Sequence, residues 1–319
     1  MRFRNAIHIT IDNFSSVFKL LLYSILTGAV FMSLSYLILR LGLDGIISGS
    51  PTKAVAGLLR EFFDALILRN PEWNYDEFNS KFAEAFASFK ELISNSTGAI
   101  AGSFIGVAIM YLLSRFINGL GRFAVAGTMN DRMSTFSRTR FGSSYFKNIG
   151  KGALYQVIYV PLIFLYDALS VLLCWLCFFY IPGLLSINGW VSVLLSISLT
   201  MTAIACFEAL KMTLISAWIP AIVADDKKVT LAFRASLGAK KHFGKRFASF
   251  LIAVYLIIVI NVLFALCTFG SALLVTVPLS FVFLLSLQFV QYYEDNNKKY
   301  FISSRTIMGG EEKPNGLDE

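Results

Sequence analysis

The chain has little of what most site chemistry is built from. It holds two histidines, His8 and His242, and four cysteines in 319 residues. These are too few and too scattered for a zinc constellation, which needs four ligands, or three and a water, at characteristic spacings. Neither a metal nor another cofactor is expected. Cys174, Cys177, Cys206 and Cys267 all fall in apolar stretches. Cys174 and Cys177 have the spacing of a redox pair, but thiol exchange needs an exposed thiolate, which an apolar span does not offer. No Gly-rich phosphate loop follows a predicted strand, and no paired nucleophile and base stands out, so the chain is expected not to be an enzyme. Charge is scarce as well. Only 15% of residues are charged and 56% are hydrophobic, where soluble domains carry about 25% charged residues. The mean hydropathy of +0.66 excludes a soluble monomer.

What the chain does have is six long apolar runs, at about 17–39, 98–118, 152–180, 190–221, 247–267 and 271–293. About 20 apolar residues cross a bilayer core as a helix, so the expected fold is all-α: a polytopic membrane helical bundle of six transmembrane helices. The spans and their loops use up nearly the whole of 1–319, which reads as a single membrane domain. Ile181, Pro182 and Gly183 end the third run, and Thr268, Phe269 and Gly270 separate the fifth from the sixth. Both joints predict tight helical hairpin turns. The first run is too long for the apolar core of a signal peptide and reads as a signal anchor.

Basic residues resist translocation, and their distribution orients the spans. The segment between the second and third runs holds Arg122, Arg132, Arg138, Arg140, Lys147 and Lys151 against Asp131. The segment between the fourth and fifth holds Lys227, Lys228, Arg234, Lys240, Lys241, Lys245 and Arg246 against Asp225 and Asp226. Both are expected to be cytoplasmic, and parity places both termini, including the polar tail 294–319, on that side. The expected location is a cell membrane, read as a bacterial inner membrane. The excess of 28 basic over 20 acidic residues follows from this bias. It points to anionic lipid headgroups rather than nucleic acid, with contacts at Lys227, Lys228, Arg234, Lys240, Lys241, Lys245 and Arg246.

The long loop 40–97 is expected outside. Phe78, Phe82, Phe86, Phe89 and Ile93 recur at helical spacing and predict an amphipathic helix there. Such a helix would cap the outer mouth of the bundle or lie on the membrane, or serve as a lid or docking face. On the other side, Phe3, Ile7, Ile11, Phe14 and Phe18 form a stripe ahead of the first span, with a partial echo in Phe233, Leu237 and Phe247 ahead of the fifth. A fainter echo, Phe141, Tyr145 and Ile149, precedes the third. The resulting picture is three helical hairpins, each introduced by a cytoplasmic interfacial amphipathic helix.

Ala232, Phe233, Arg234, Ala235, Ser236 and Leu237, then Lys241, His242 and Phe243, lead into a span, after which comes Phe269-Gly270-Ser271-Ala272-Leu273-Leu274-Val275-Thr276-Val277-Pro278-Leu279. This last quarter resembles the closing part of a diffuse bacterial group. The group includes the membrane domain attached to some glycerophosphoryl diester phosphodiesterases, together with related six-helix membrane proteins. The resemblance implies a membrane module. It transfers no catalytic residue, because the chain lacks the phosphodiesterase domain and any acid and histidine cluster that could replace one.

Among candidate sites, Asp167 is the sharpest. A carboxylate at bilayer depth costs at least about 2.5 to 3.5 kcal/mol on insertion scales, so Asp167 should face the interior, find a partner or be protonated. It reads either as a proton or cation site or as a structural lock between helices. Glu208 and Lys211, three apart on one helix, can pair; if the span begins at Trp190 both reach the cytoplasmic interface, with Lys211 snorkelling, whereas on a long tilted helix Lys211 could instead partner Asp167. Asn261 and Gln288 are further polar points of the kind that tie membrane helices together. The expected role is a non-enzymatic integral membrane module in lipid or envelope organisation, or a subunit of a membrane complex, with membrane lipids and a second copy or another membrane protein as partners. The alternative is a small transporter or channel using Asp167.

Overall fold

The computed structural model describes residues 2–68, 74–184, 189–238, 243–303 and 306–309. Lys240, Lys241 and His242, residues 185–188 and, in the polar tail, 304–305 and 310–319 lie outside the described residues. The helices are α1 (Arg2–Asp12), α2 (Phe14–Ile47), α3 (Ser50–Leu68), α4 (Tyr75–Asn95), α5 (Thr97–Thr135), α6 (Phe141–Trp175), a single turn α7 (Ile181–Leu184), α8 (Trp190–Ile215), α9 (Trp218–Ala224), α10 (Val229–Gly238), α11 (Phe243–Thr268) and α12 (Leu273–Asp295). A π-helical turn, Leu176–Tyr180, joins α6 to α7, and a two-stranded antiparallel hairpin, β1 (Tyr300–Ser303) with β2 (Thr306–Met308), follows α12. Six helical segments are long and apolar enough to cross a membrane: Phe14–Ile47, Thr97–Thr135, Phe141–Tyr180, Val191–Ala224, Phe243–Thr268 and Leu273–Asp295. The protein is an all-α, multi-pass membrane bundle.

Each expected span lies almost wholly within one of these segments, but the helices run further. α5 continues through Arg122 and Arg132, where a basic loop was expected, because its last turns bury Phe123, Met129 and Met133 in the core. The third leader is likewise no separate helix: Phe141, Tyr145 and Ile149 form the first turns of α6. The first and fifth spans do have separate leaders, α1 and α10. The chain packs as two compact units, one of Met1–Ile25 with Phe116–Glu319, the other of Leu26–Arg115.

In the smaller unit, α4 carries the expected phenylalanine stripe, and its partner is α3, which was read as loop. Asn74 caps α4 by accepting from the amides of Asp76 (3.1 Å) and Glu77 (3.4 Å), as short polar side chains do at helix starts. Phe62 of α3 stacks on Phe78 at 5.4 Å, and Phe78, Phe82 and Phe86 stack along α4 at 5.6 and 5.9 Å. The outer portions of α2 and α5 meet where Gly106 admits Ile38 and Gly42 admits Ser103.

The larger unit holds the main core, centred on α12. Leu285, Ser286, Leu287, Phe289, Val290 and Gln291 are all buried, so this stretch is enclosed on every side, as befits the middle of a bundle. Around it, fully buried Trp218 packs between Tyr155 and Phe233, each ring at 4.5 Å, and its indole N–H donates to the Val229 carbonyl at 3.0 Å. Gly127 lets α6 approach α5 so closely that the Ser144 hydroxyl donates to the Ala124 carbonyl at 2.8 Å. At the far end, Phe269 (φ 50°) and Gly270 (φ +85°) reverse the chain between α11 and α12 in the expected tight turn. Glycine takes such a φ without steric cost.

α1 is fastened to this core. Arg2 donates through Nε to Glu294 Oε2 (2.6 Å) and through Nη2 to Asp295 Oδ1 (2.9 Å), while Arg246 Nε donates to Asp295 Oδ2 (2.7 Å). The Asn5 amide donates to the Tyr300 hydroxyl (2.9 Å), which donates to Glu294 Oε1 (3.0 Å). The strand pair that the polar tail concealed thus closes over the end of α12 through Tyr300. Breaking one member of a buried ion pair typically costs about 3–5 kcal/mol, because the remaining charge is left uncompensated. Asp295→Asn should therefore lower stability by about that much, with a much smaller effect for the more exposed Glu294→Gln. Thermal unfolding in detergent, followed by helical circular dichroism, measures both.

Candidate functional site

Two polar assemblies stand out, one inside the apolar part of the bundle and one at its basic end.

The first lies where α6 and α8 run side by side. Tyr166 stacks on Phe207 at 4.0 Å, with the ring planes 14° apart, and its hydroxyl donates to the Phe207 carbonyl. Lys211 reaches back along α8 to pair with Glu208, and its ammonium lies 4.9 Å from the centre of the Tyr166 ring. Such a placement is attractive because the ring face is negative. Asp167, next along α6, is half-buried and within electrostatic reach of Tyr166, as is Glu208. Glu208 and Lys211 are therefore brought together as their spacing suggests, with both side chains largely shielded from solvent. Tyr166 is the member that sequence reasoning missed. Its signal was slight, a tyrosine adjoining the intramembrane aspartate among many apolar neighbours. The Asn261 amide donates to Ser280 Oγ on α12 at 3.4 Å, while its own carbonyl oxygen is buried without a partner. Gln288 reaches the Met212 sulfur at 3.6 Å. Both act between helices.

The second assembly gathers most of the basic residues expected at lipid. Lys228, Arg234 and Lys245 are exposed. Lys227 is more than half covered and lies 3.2 Å from Asp225. Arg246 departs from the expectation: it is 7% exposed and committed to Asp295. The reason is its position one turn into α11, on the face packed against α12. His8 is exposed on α1, and among the described residues no group of His, Cys, Asp and Glu could hold a metal ion. All four cysteines are free, with Cys177 buried.

Between these elements lies a cavity of about 140 Å³, lined by Ser216, Lys227, Arg246, Gln288, Gln291 and Asp295 among others. Gln291 is 1% exposed, and among the described residues neither its amide nitrogen nor its amide oxygen has a partner. A cavity of this size and polarity suits a few ordered waters, which take up buried polar atoms of this kind. Beside it, Asp225 accepts from the Tyr292 hydroxyl at 2.7 Å and from Lys298 and Lys227.

No family model, curated protein or solved structure matches this chain.

Asp225 is held in its ionised form by its neighbours. Burial disfavours its ionised form, but the hydrogen bonds from Lys298, Tyr292 and Lys227 together outweigh burial and hold the carboxyl below the usual aspartate range. A carboxyl depressed on folding contributes stability that is fully present above its unfolded pKa and is lost as pH falls through the folded value. Melting temperature should hold steady from about pH 7 to about pH 4, the ordinary aspartate value, and fall below it. Asp225→Asn should flatten part of that acid limb. Melting curves of both proteins across this range, in one detergent, make the comparison.

Proposed function

We propose that the protein is a non-enzymatic integral membrane module that organises anionic lipid, alone or as a subunit of a larger membrane complex. In this reading the basic end and both termini face the cytoplasm. One observation carries it: each leader helix is fixed to the bundle by one face and leaves large apolar side chains exposed on the other. α1 buries Asn5, Ala6, Ile9 and Thr10 and leaves Ile7 and Ile11 exposed, as are Phe14 and Phe18 at the start of α2. α10 buries Val229, Ala232 and Ser236 and exposes Leu231 and Leu237 beside Arg234. Helices fixed to a bundle by one face, with an exposed apolar row next to basic side chains, match the chemistry of the headgroup and acyl boundary.

Each basic side chain near an anionic surface contributes about 1 kcal/mol. In vesicles of mixed phosphatidylglycerol and phosphatidylcholine, spin-labelled lipids should show a preference of the protein's boundary for the anionic species. The triple variant Lys228→Gln, Arg234→Gln, Lys245→Gln should reduce that preference about twofold or more, and high salt should weaken it in the parent protein. Equal preference in parent and variant would remove the basis of the proposal.

A second reading, proton or cation handling, is favoured by the gathering of Tyr166, Glu208 and Lys211 near Asp167. Under the module reading, vesicles loaded with a pH-sensitive dye show the same proton leak with the parent protein and with Asp167→Asn. A leak that the substitution abolishes would move the function to the α6 and α8 pair.

A further inference from the structure

A pocket of about 390 Å³ opens between the junction of α1 with α2 and the segment 136–140 that joins α5 to α6. Four cations line it, Lys19, Arg132, Arg138 and Arg140, with one acid, Asp12. Arg132 and Asp12 neutralise each other through two bonds, Nε to Oδ2 at 2.6 Å and Nη2 to Oδ1 at 3.0 Å. Arg132 is further fixed by its guanidinium lying 3.6 Å from the centre of the Phe136 ring. The nearby Asp131 carboxylate accepts from the Thr139 hydroxyl at 2.5 Å. Lys19, Arg138 and Arg140 remain exposed and, among the described residues, form no ion pair. Arg140 is also the residue from which α6 starts, and no side chain caps that helix. Its first amides and the positive end of its dipole add to the attraction for an anion.

The charge alone would suit any phosphate; the rim narrows the choice. Ile11 and Phe14 line the pocket, and Phe18 stands one turn further along α2, in edge contact with Phe14 at 5.3 Å. All three are exposed, Ile11 at 65%, and Phe14 begins the first membrane-crossing segment. A ligand seated here has its anionic part among arginines and its remainder against an apolar row that continues into the bilayer. Resting on the lipid-module reading above, we propose that this pocket binds the phosphate of one anionic glycerophospholipid per chain. Arg138, Arg140 and Lys19 receive the headgroup, and an acyl chain lies along Phe14 and Phe18. None of these basic residues belongs to the α10 and α11 set discussed above, so the site is separate from general boundary selectivity.

The test is native mass spectrometry of the purified full chain in an uncharged detergent, titrated with phosphatidylglycerol or phosphatidylcholine. One phosphatidylglycerol adduct should saturate at equimolar ratio, with no comparable phosphatidylcholine adduct. Arg138→Gln with Arg140→Gln should weaken it about 30-fold, the effect expected of two basic side chains at a membrane surface. Lys228→Gln with Arg234→Gln should leave it intact. Both pairs of substitutions are on exposed side chains, and unchanged melting temperatures exclude misfolding as the cause. An unaltered adduct in the Arg138, Arg140 variant overturns the site even where the spin-label preference survives, which separates its failure from that of the broader reading. Displacement of the lipid by inorganic phosphate at comparable concentration overturns the lipid assignment in favour of a free anion.

Discussion

The carboxylate of Asp295 receives two guanidinium groups, Arg2 from the start of the chain and Arg246 from the base of α11. Taking such charges out of water is expensive, and the arrangement holds only because each charge has its counterpart in good geometry. Much of the basic end follows from it. α12 must present Glu294 and Asp295 at a fixed height, so its preceding turns are locked into the core at Leu287, Phe289 and Val290. α1 must lie across the end of α12, which buries Asn5, Ala6, Ile9 and Thr10 and leaves Ile7 and Ile11 exposed. Tyr300 then closes the arrangement by bonding both Asn5 and Glu294.

The same design principle recurs at the other fastenings of this end. Arg132 grips Asp12, Lys298 and Lys227 hold Asp225, and the Tyr293 hydroxyl donates to Asn130 at 3.0 Å. Apart from Lys227 with its near neighbour Asp225, these ties connect segments distant in sequence, and they sit where apolar packing gives way to water. Packing by large side chains and by glycine contacts serves the interior, while directional charge contacts serve the rim. Among the described residues of this unit, Arg4, Lys19, Arg138, Arg140, Lys147, Lys228, Arg234 and Lys245 are exposed and enter no such tie.

Much of this was legible in the chain. Six spans, the reversal at Phe269 and Gly270, the pairing of Glu208 with Lys211 and the helix carrying Phe78 to Ile93 all follow from local pattern, since helical periodicity and length express themselves within a few turns. What was not legible depends on contacts between distant segments. α3 looked like a loop because its apolar residues gain meaning only against α4. Arg246 looked like a lipid contact because its partner lies 49 residues away at Asp295. Tyr166 joined the intramembrane group through Phe207 and Lys211, which α8 brings alongside. The strands β1 and β2 were hidden in a polar tail because two short runs form a hairpin only when one of them, through Tyr300, has a core to enter.

The docking of α1 on α12 has a bearing on biogenesis. All six spans follow α1 in the chain, so Arg2 can meet Glu294 and Asp295 only once the last of them has been synthesised. The tie between α1 and α12 is therefore among the last contacts the bundle can form.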